Sequence, residues 1–175
     1  MRRILLISLF LLGPLGMLLA QGPYKFAHIE SQALLNSMPE RDSAMAKLKT
    51  LEQELSDQME QLQVELNKKY QDYMQKRETL TPSMRETKEK EITELQQRLQ
   101  EYQVASERDF RDMQGKLMQP IVEKAQAAIR KVGKENGFLY VFDKSLGALL
   151  YESSESVDLL PLVQKELGIK PTAKK

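Results

Sequence analysis

The chain has no cysteine and a single histidine, and outside its first twenty residues it has no long apolar run. Without cysteine no disulfide can staple the fold, and a lipid-anchored export route, which needs a cysteine after the cleavage site, is excluded. His28 cannot build a metal site alone, because such sites need several convergent ligands, so it reads as a strand residue packed in a small core. Charge of one sign is missing too. Without residues 1–20, 24 Lys and Arg face 25 Asp and Glu, a net of −1, which argues against nucleic acid as a partner. No nucleophile stands in a pattern with a positioned base. Gly115-Lys116 and Gly133-Lys134 lack the upstream glycine of a phosphate loop, because Phe110 and Ala128 stand there. The sequence therefore points to no enzyme, no cofactor and no metal.

The first twenty residues have the layout of an export signal. Arg2 and Arg3 precede the apolar run Ile4 to Leu12, glycine and proline break it, and Ala20 offers a small residue for cleavage. That run is too short to span about 30 Å of hydrocarbon. A cleaved signal over 1–20 is expected, with an uncleaved tether as the alternative.

What the chain does have is a charged, apolar-striped stretch of about 95 residues from Glu40, punctuated once at Thr81-Pro82-Ser83. Before the break the stripe is Leu48, Leu51, Leu55, Met59, Leu62, Leu66, Tyr70 and Tyr73. After it come Leu95, Leu99, Tyr102, Ser106, Phe110, Met113, Leu117 and Ile121. Both limbs step by threes and fours in an eleven-residue repeat, at about 3.67 residues per turn, so their stripes run nearly straight and can pair. The expectation is an antiparallel helical hairpin, an arm of about 60 Å at 1.5 Å per residue. Pro39 suits its first turn, with Glu40 and Asp42 favoured by the helix dipole. Thr81 suits a cap for the return limb, and Ser83 to Glu86 has capping-box spacing.

The rest is too small for a comfortable core of its own, which invites oligomerisation. Tyr24 to Ile29 reads as a strand and Ser31 to Ser37 as a short helix. Pro120 should bend the second limb, and the wider apolar face beyond it suits burial against a sheet. Gly137 suits a helix stop, Phe138 to Phe142 a strand, Ala148 to Tyr151 a second strand, and Val157 to Leu167 a helix capped by Ser156. The expected organisation is a signal at 1–20, body strand and short helix at 21–38, arm at 39–116 with its tip near 79–83, body helix, strands and C-terminal helix at 117–170, and a tail at 171–175.

Four stretches carry a family resemblance: Phe26-Ala27-His28-Ile29 to Leu34-Leu35-Asn36, the Pro39-Glu40 helix start, Met118-Gln119-Pro120-Ile121, and Gly137-Phe138-Leu139-Tyr140-Val141-Phe142-Asp143-Lys144 leading to Leu150-Tyr151 and Val157-Asp158. The mature chain resembles the Skp/OmpH periplasmic chaperones of Gram-negative bacteria. The resemblance implies an α+β, mostly α fold: a small β body that forms an intersubunit barrel in a homotrimer, with a long protruding antiparallel helical hairpin. It implies an ATP-independent holdase that binds unfolded outer-membrane proteins in the periplasm before membrane insertion. The alternatives are a coiled-coil spacer or envelope tether, or a lipopolysaccharide- or membrane-binding module.

One departure is visible. Residues 40–116 hold 14 Lys and Arg against 17 Asp and Glu, whereas the family's arms are strongly basic. The family's lipopolysaccharide contact is therefore not carried over: Lys68, Lys69, Lys76, Arg77, Arg85 and Lys88 are interleaved with Glu78, Glu86 and Glu89. A weak membrane or lipopolysaccharide contact is left open. From the near balance of charge, client binding should depend little on salt. Apolar residues outside the stripe are the candidate client contacts, namely Met45, Val64, Met74, Leu80, Met84, Ile92 and Val104, and methionine suits irregular partners. Phe138, Tyr140, Val141, Phe142 and Leu150 are the candidate oligomer contacts.

Overall fold

The computed structural model describes residues 24–170; the expected signal at 1–20 and the tail at 171–175 lie outside the described residues. The protein is α+β and mostly helical, in the order β1 (Lys25–Ile29), α1 (Ser31–Asn36), α2 (Pro39–Lys76), α3 (Pro82–Glu135), β2 (Phe138–Asp143), β3 (Val157–Asp158) and α4 (Leu160–Glu166). Two compact units form. One gathers the described residues up to Leu34 with those from Ala127 onward, and the other is Leu35–Gln126.

In the first unit the sheet has the order β2-β1-β3, and both pairings are parallel. Parallel neighbours need a crossover, and between β1 and β2 this is the whole helical pair. The same rule corrects the expected strand at Ala148–Tyr151. A hairpin would return antiparallel beside β2, but the chain crosses instead to the far side of β1, where Val157 and Asp158 pair with Ala27 and His28. Residues 148–151 form no strand, and Leu150 is 96% exposed.

His28 helps hold this crossover. It is buried, its Nδ1 hydrogen-bonds Ser156 Oγ at 2.8 Å, and Glu152 lies 3.6 Å away. Ser156 is thus no helix cap. Helix α4 begins at Leu160, whose N–H donates to Asp158 Oδ1 at 3.0 Å.

Ala27, Ile29, Leu34, Val132, Leu159 and Val163 form the small core. Gly133 is where α3 comes close to β2: a Cβ there would meet Val141 Cγ2 at 3.3 Å. Gly137 follows the helix with φ +70°, the left-handed stop its position suggested.

Asp143, at the end of β2, ties the sheet to the start of α1. Its Oδ1 accepts the N–H groups of Ser31 (3.2 Å) and Ser145 (2.9 Å), and its Oδ2 accepts the Ser31 hydroxyl at 2.5 Å. Burial pushes its carboxyl pKa up, but these hydrogen bonds outweigh that and hold it below the ordinary value. A depressed carboxylate contributes stability above its unfolded pKa, about 3.9, and loses that contribution as pH falls through the folded value. Asp143→Asn should therefore cost about 1–2 kcal/mol at pH 7, the usual worth of charge-assisted over neutral bonds. Urea unfolding at falling pH should show the gap to wild type narrowing below about pH 4. A gap that stays constant down to pH 2 would rule out the charge as its source.

In the second unit α2 and α3 run antiparallel. Cross-limb bonds join Glu40 to Lys124, Lys69 to Glu91 (3.0 Å) and Tyr73 to Glu89, so numbers rising on one limb meet numbers falling on the other. Pro39 occupies the first turn of α2, with Glu40 and Asp42 beside it. The return limb starts at Pro82, and Thr81 Oγ1 accepts the Met84 N–H at 3.4 Å, so Thr81 and not the Ser83 box makes the start. The first limb ends earlier than expected, at Lys76. Helix α3 continues as one element through Pro120, which lies inside it as expected. Among the described residues no helix is long and apolar enough to cross a membrane.

Candidate client-binding surface

The seam follows the expected stripe over most of its length. Leu48, Leu62, Tyr73, Leu95 and Ile121 are buried, and Leu51, Leu55, Met59, Leu66, Leu99, Tyr102, Phe110 and Leu117 are half-buried. It departs near the tip. Tyr70 is exposed, and the half-buried Lys69 stands in its place, bonded to Glu91. The Glu91 carboxyl is held below its usual range first by the Lys69 hydrogen bond, and the Lys69 ammonium is raised by the same bond. Tyr73 is pushed up by its bond to Glu89.

Outside the seam, Met45, Val64, Met74, Met84 and Val104 are exposed, Val104 by 69%. Leu80 is half-buried at the turn. Ile92 is a correction: it is 8% exposed and fills the seam one turn before Leu95, so it offers no surface to a partner. The eleven-residue phase, carried back from Leu95, lands on Glu91 and leaves Ile92 off the stripe. The i, i+3 spacing that brings the two residues onto one face is the signal that could have found it. Tyr70 and Met113 were assigned to the seam and are exposed.

Midway along the pair the seam opens. Leu51, Leu55, Leu62 and Tyr102 line an open groove of about 520 Å³ that Glu54 and Arg98 also border. Nearby, the Ser106 Oγ is buried and has no partner among the described residues.

The sheet unit has its own apolar surface. Phe26 stacks on Tyr140 with ring centroids 6.3 Å apart, and Tyr140 meets Phe142 at 6.0 Å, yet Tyr140 is 59% exposed and the other two are exposed as well. Phe138 and Val141 are half-buried. The outer edge of β2 has no strand beside it among the described residues. Apolar exposure of this extent beside an open edge marks an interaction surface. Among the described residues no group of three or more His, Asp or Glu side chains could hold a metal, and both Gly-Lys pairs lie inside α3.

The family model described as outer membrane protein (OmpH-like) matches residues 25–167, which takes in every element described above. The chain belongs to the OmpH-like family. The crystal structure of an OmpH-like outer-membrane chaperone candidate from Caulobacter crescentus CB15 matches with a TM-score of 0.72 at 14% identity, over 83% of this chain and 85% of that one. At that identity the likeness establishes a shared fold. No curated protein matches the sequence. For an OmpH-like chain, the elements that the four quoted stretches pointed to are in place, apart from the strand expected at 148–151 and the helix expected from Val157, where β3 lies and α4 begins only at Leu160.

Proposed function

We propose that this OmpH-like protein is a nucleotide-independent holdase of the periplasm. It binds unfolded outer-membrane proteins on its helical unit and assembles as a homotrimer through its sheet unit. One observation carries the reading: large apolar side chains, Met45, Val64, Met74, Met84 and Val104, are left outside the seam of an otherwise charged helical pair. Helices that only separate two points have no use for them. Strands destined for an outer-membrane barrel alternate apolar and polar residues and stay unpaired until insertion, so they need temporary cover. Each partly buried client side chain contributes about 1 kcal/mol or less at ~25 cal/mol per Å². Many such contacts on several copies hold a client by effective concentration while each one breaks quickly. Release needs no nucleotide, because membrane insertion competes. The reading assigns no catalytic role. The Caulobacter relative, described as an outer-membrane chaperone candidate, supports it.

The test is to dilute a urea-unfolded porin into buffer with and without the protein, no nucleotide present, and follow light scattering. Scattering should fall to near baseline at a few-fold excess of the protein. Unchanged scattering would favour a spacer.

A further inference from the structure

The helical unit is close to neutral as a whole, but its charge is sorted along its length. Residues 68–90, at the tip, hold seven Lys and Arg against four Asp and Glu. Residues 50–67 hold five carboxylates and no cation, and residues 91–107 on the facing limb hold four carboxylates and one cation, Arg98. By sequence this waist carries a net of −8. At its ends Glu91 pairs with Lys69 and Lys88, Glu94 with Lys90 and Glu107 with Arg111, all cations outside it.

Pairing sharpens the contrast. At the tip, opposite charges meet: Lys69 and Lys88 with Glu91, and Lys76 with Asp72. In the waist, Glu52, Glu54, Asp57, Glu60, Glu65 and Glu101 are all exposed, and none stands in an ion pair among the described residues. The waist is also where the seam opens into the groove floored by Leu51, Leu55, Leu62 and Tyr102, with Glu54, Gln58 and Arg98 at its border. Val64 and Val104 are exposed on the two limbs of the same stretch.

We propose that this groove is a docking site for extended client segments that carry lysine or arginine. The inference rests on the holdase reading and names the client chemistry that the helical unit selects. The apolar floor, with Glu54 at its rim and unpaired carboxylates along the same stretch, suits long cationic side chains, whose aliphatic stems lie on apolar surface while the charged head reaches out to carboxylates. An acidic segment of the same apolar pattern meets like charge at the border and is disfavoured. Separate carboxylates that do not converge suit mobile ammonium and guanidinium heads better than a bound metal ion. Averaging over the whole arm conceals this: the weak salt dependence expected from balanced charge applies to neutral segments, whereas a cationic one engages the six carboxylates of the waist that stand in no ion pair among the described residues. Such attraction is screened over about 10 Å at 0.1 M salt.

The test uses the full mature chain and two labelled peptides with the same alternating apolar residues, one with four lysines and one with four glutamates at the polar positions. Anisotropy at low salt should show the lysine peptide bound about tenfold more tightly, the gap shrinking to within about twofold at 0.5 M salt. Glu54→Gln with Glu101→Gln should weaken the lysine peptide about three- to fivefold and leave the glutamate peptide unchanged. Helicity should be kept, because Gln is a good helix former. Arg98→Gln should tighten the lysine peptide about twofold. Equal affinities, or a glutamate preference, would overturn the proposal. If the porin is kept in solution but the lysine peptide is not preferred, this inference falls and the holdase reading stands. If neither peptide binds and the porin aggregates, both fall.

Discussion

Val141→Asp is expected to abolish the folded sheet unit. Val141 sits in the middle strand segment of β2, half-buried, with its Cγ2 against Gly133 of α3 and its backbone paired to Ala27 of β1. An aspartate there places an unpaired charge on a half-buried side chain packed against Gly133 of α3. A charge without a partner in such a place costs several kcal/mol. The unit is small and its core holds few large side chains, so a loss of that size removes most of its stability. Circular dichroism melting should show the low-temperature cooperative transition gone, and the mass in solution should fall from that of an oligomer. Val141→Ile is the control, since it keeps the apolar character; one added methylene at this half-buried position should cost about 1–3 kcal/mol at most and leave the unit folded. A Val141→Asp protein that melts like wild type would show that the sheet unit does not depend on this contact.

The second large effect concerns the helical unit. Replacing Val64, Met74, Met84 and Val104 together by Gln should weaken porin protection more than tenfold while moving the melting temperature by only a few degrees. Each of the four is about half exposed or more, so little folded-state packing is lost, and Gln favours helix at least as well as valine does. A client that loses apolar contact at four points loses roughly 0.5–1 kcal/mol at each, and the losses combine across copies. Replacing Lys68, Lys69 and Lys76 by Gln should have a smaller effect on the client, because Lys69 and Lys76 are already engaged with Glu91 and Asp72. A larger loss from the lysine set would show that the basic tip governs capture.

The helices were legible because their signals repeat. Sixteen stripe positions in one phase, a proline at the first turn and a threonine before Pro82 leave little freedom, and the seam holds over most of that length. It fails at Tyr70, where one long cationic stem, Lys69, takes the place of an aromatic ring and forms a cross-limb bond that no apolar count registers, at Met113, which is exposed, and at Ile92, which lies in the seam three residues before Leu95. The sheet was legible only in part. Tyr24 to Ile29 and Phe138 to Phe142 announce themselves by composition, and β1 and β2 lie close to those bounds. β3 has two residues and no periodicity to read, while Ala148 to Tyr151 has strand composition but no partner strand among the described residues. Strand composition without a partner strand is a half-signal, since sheet stability comes from pairing. An edge supplied by a second copy would complete it, in line with the proposed trimer. The acidic waist was written in the sequence throughout, but net charge conceals segregation; only the groove beside it gave the carboxylates an apolar floor to act with.

The most direct test of the account is the mass of the protein in solution, alone and with a urea-diluted porin, by light scattering on a sizing column. The account predicts a trimer alone and a soluble complex of one trimer with one porin, the porin showing no β-barrel signature by circular dichroism. A folded monomer that elutes apart from the porin, with the porin lost to aggregate, would contradict it.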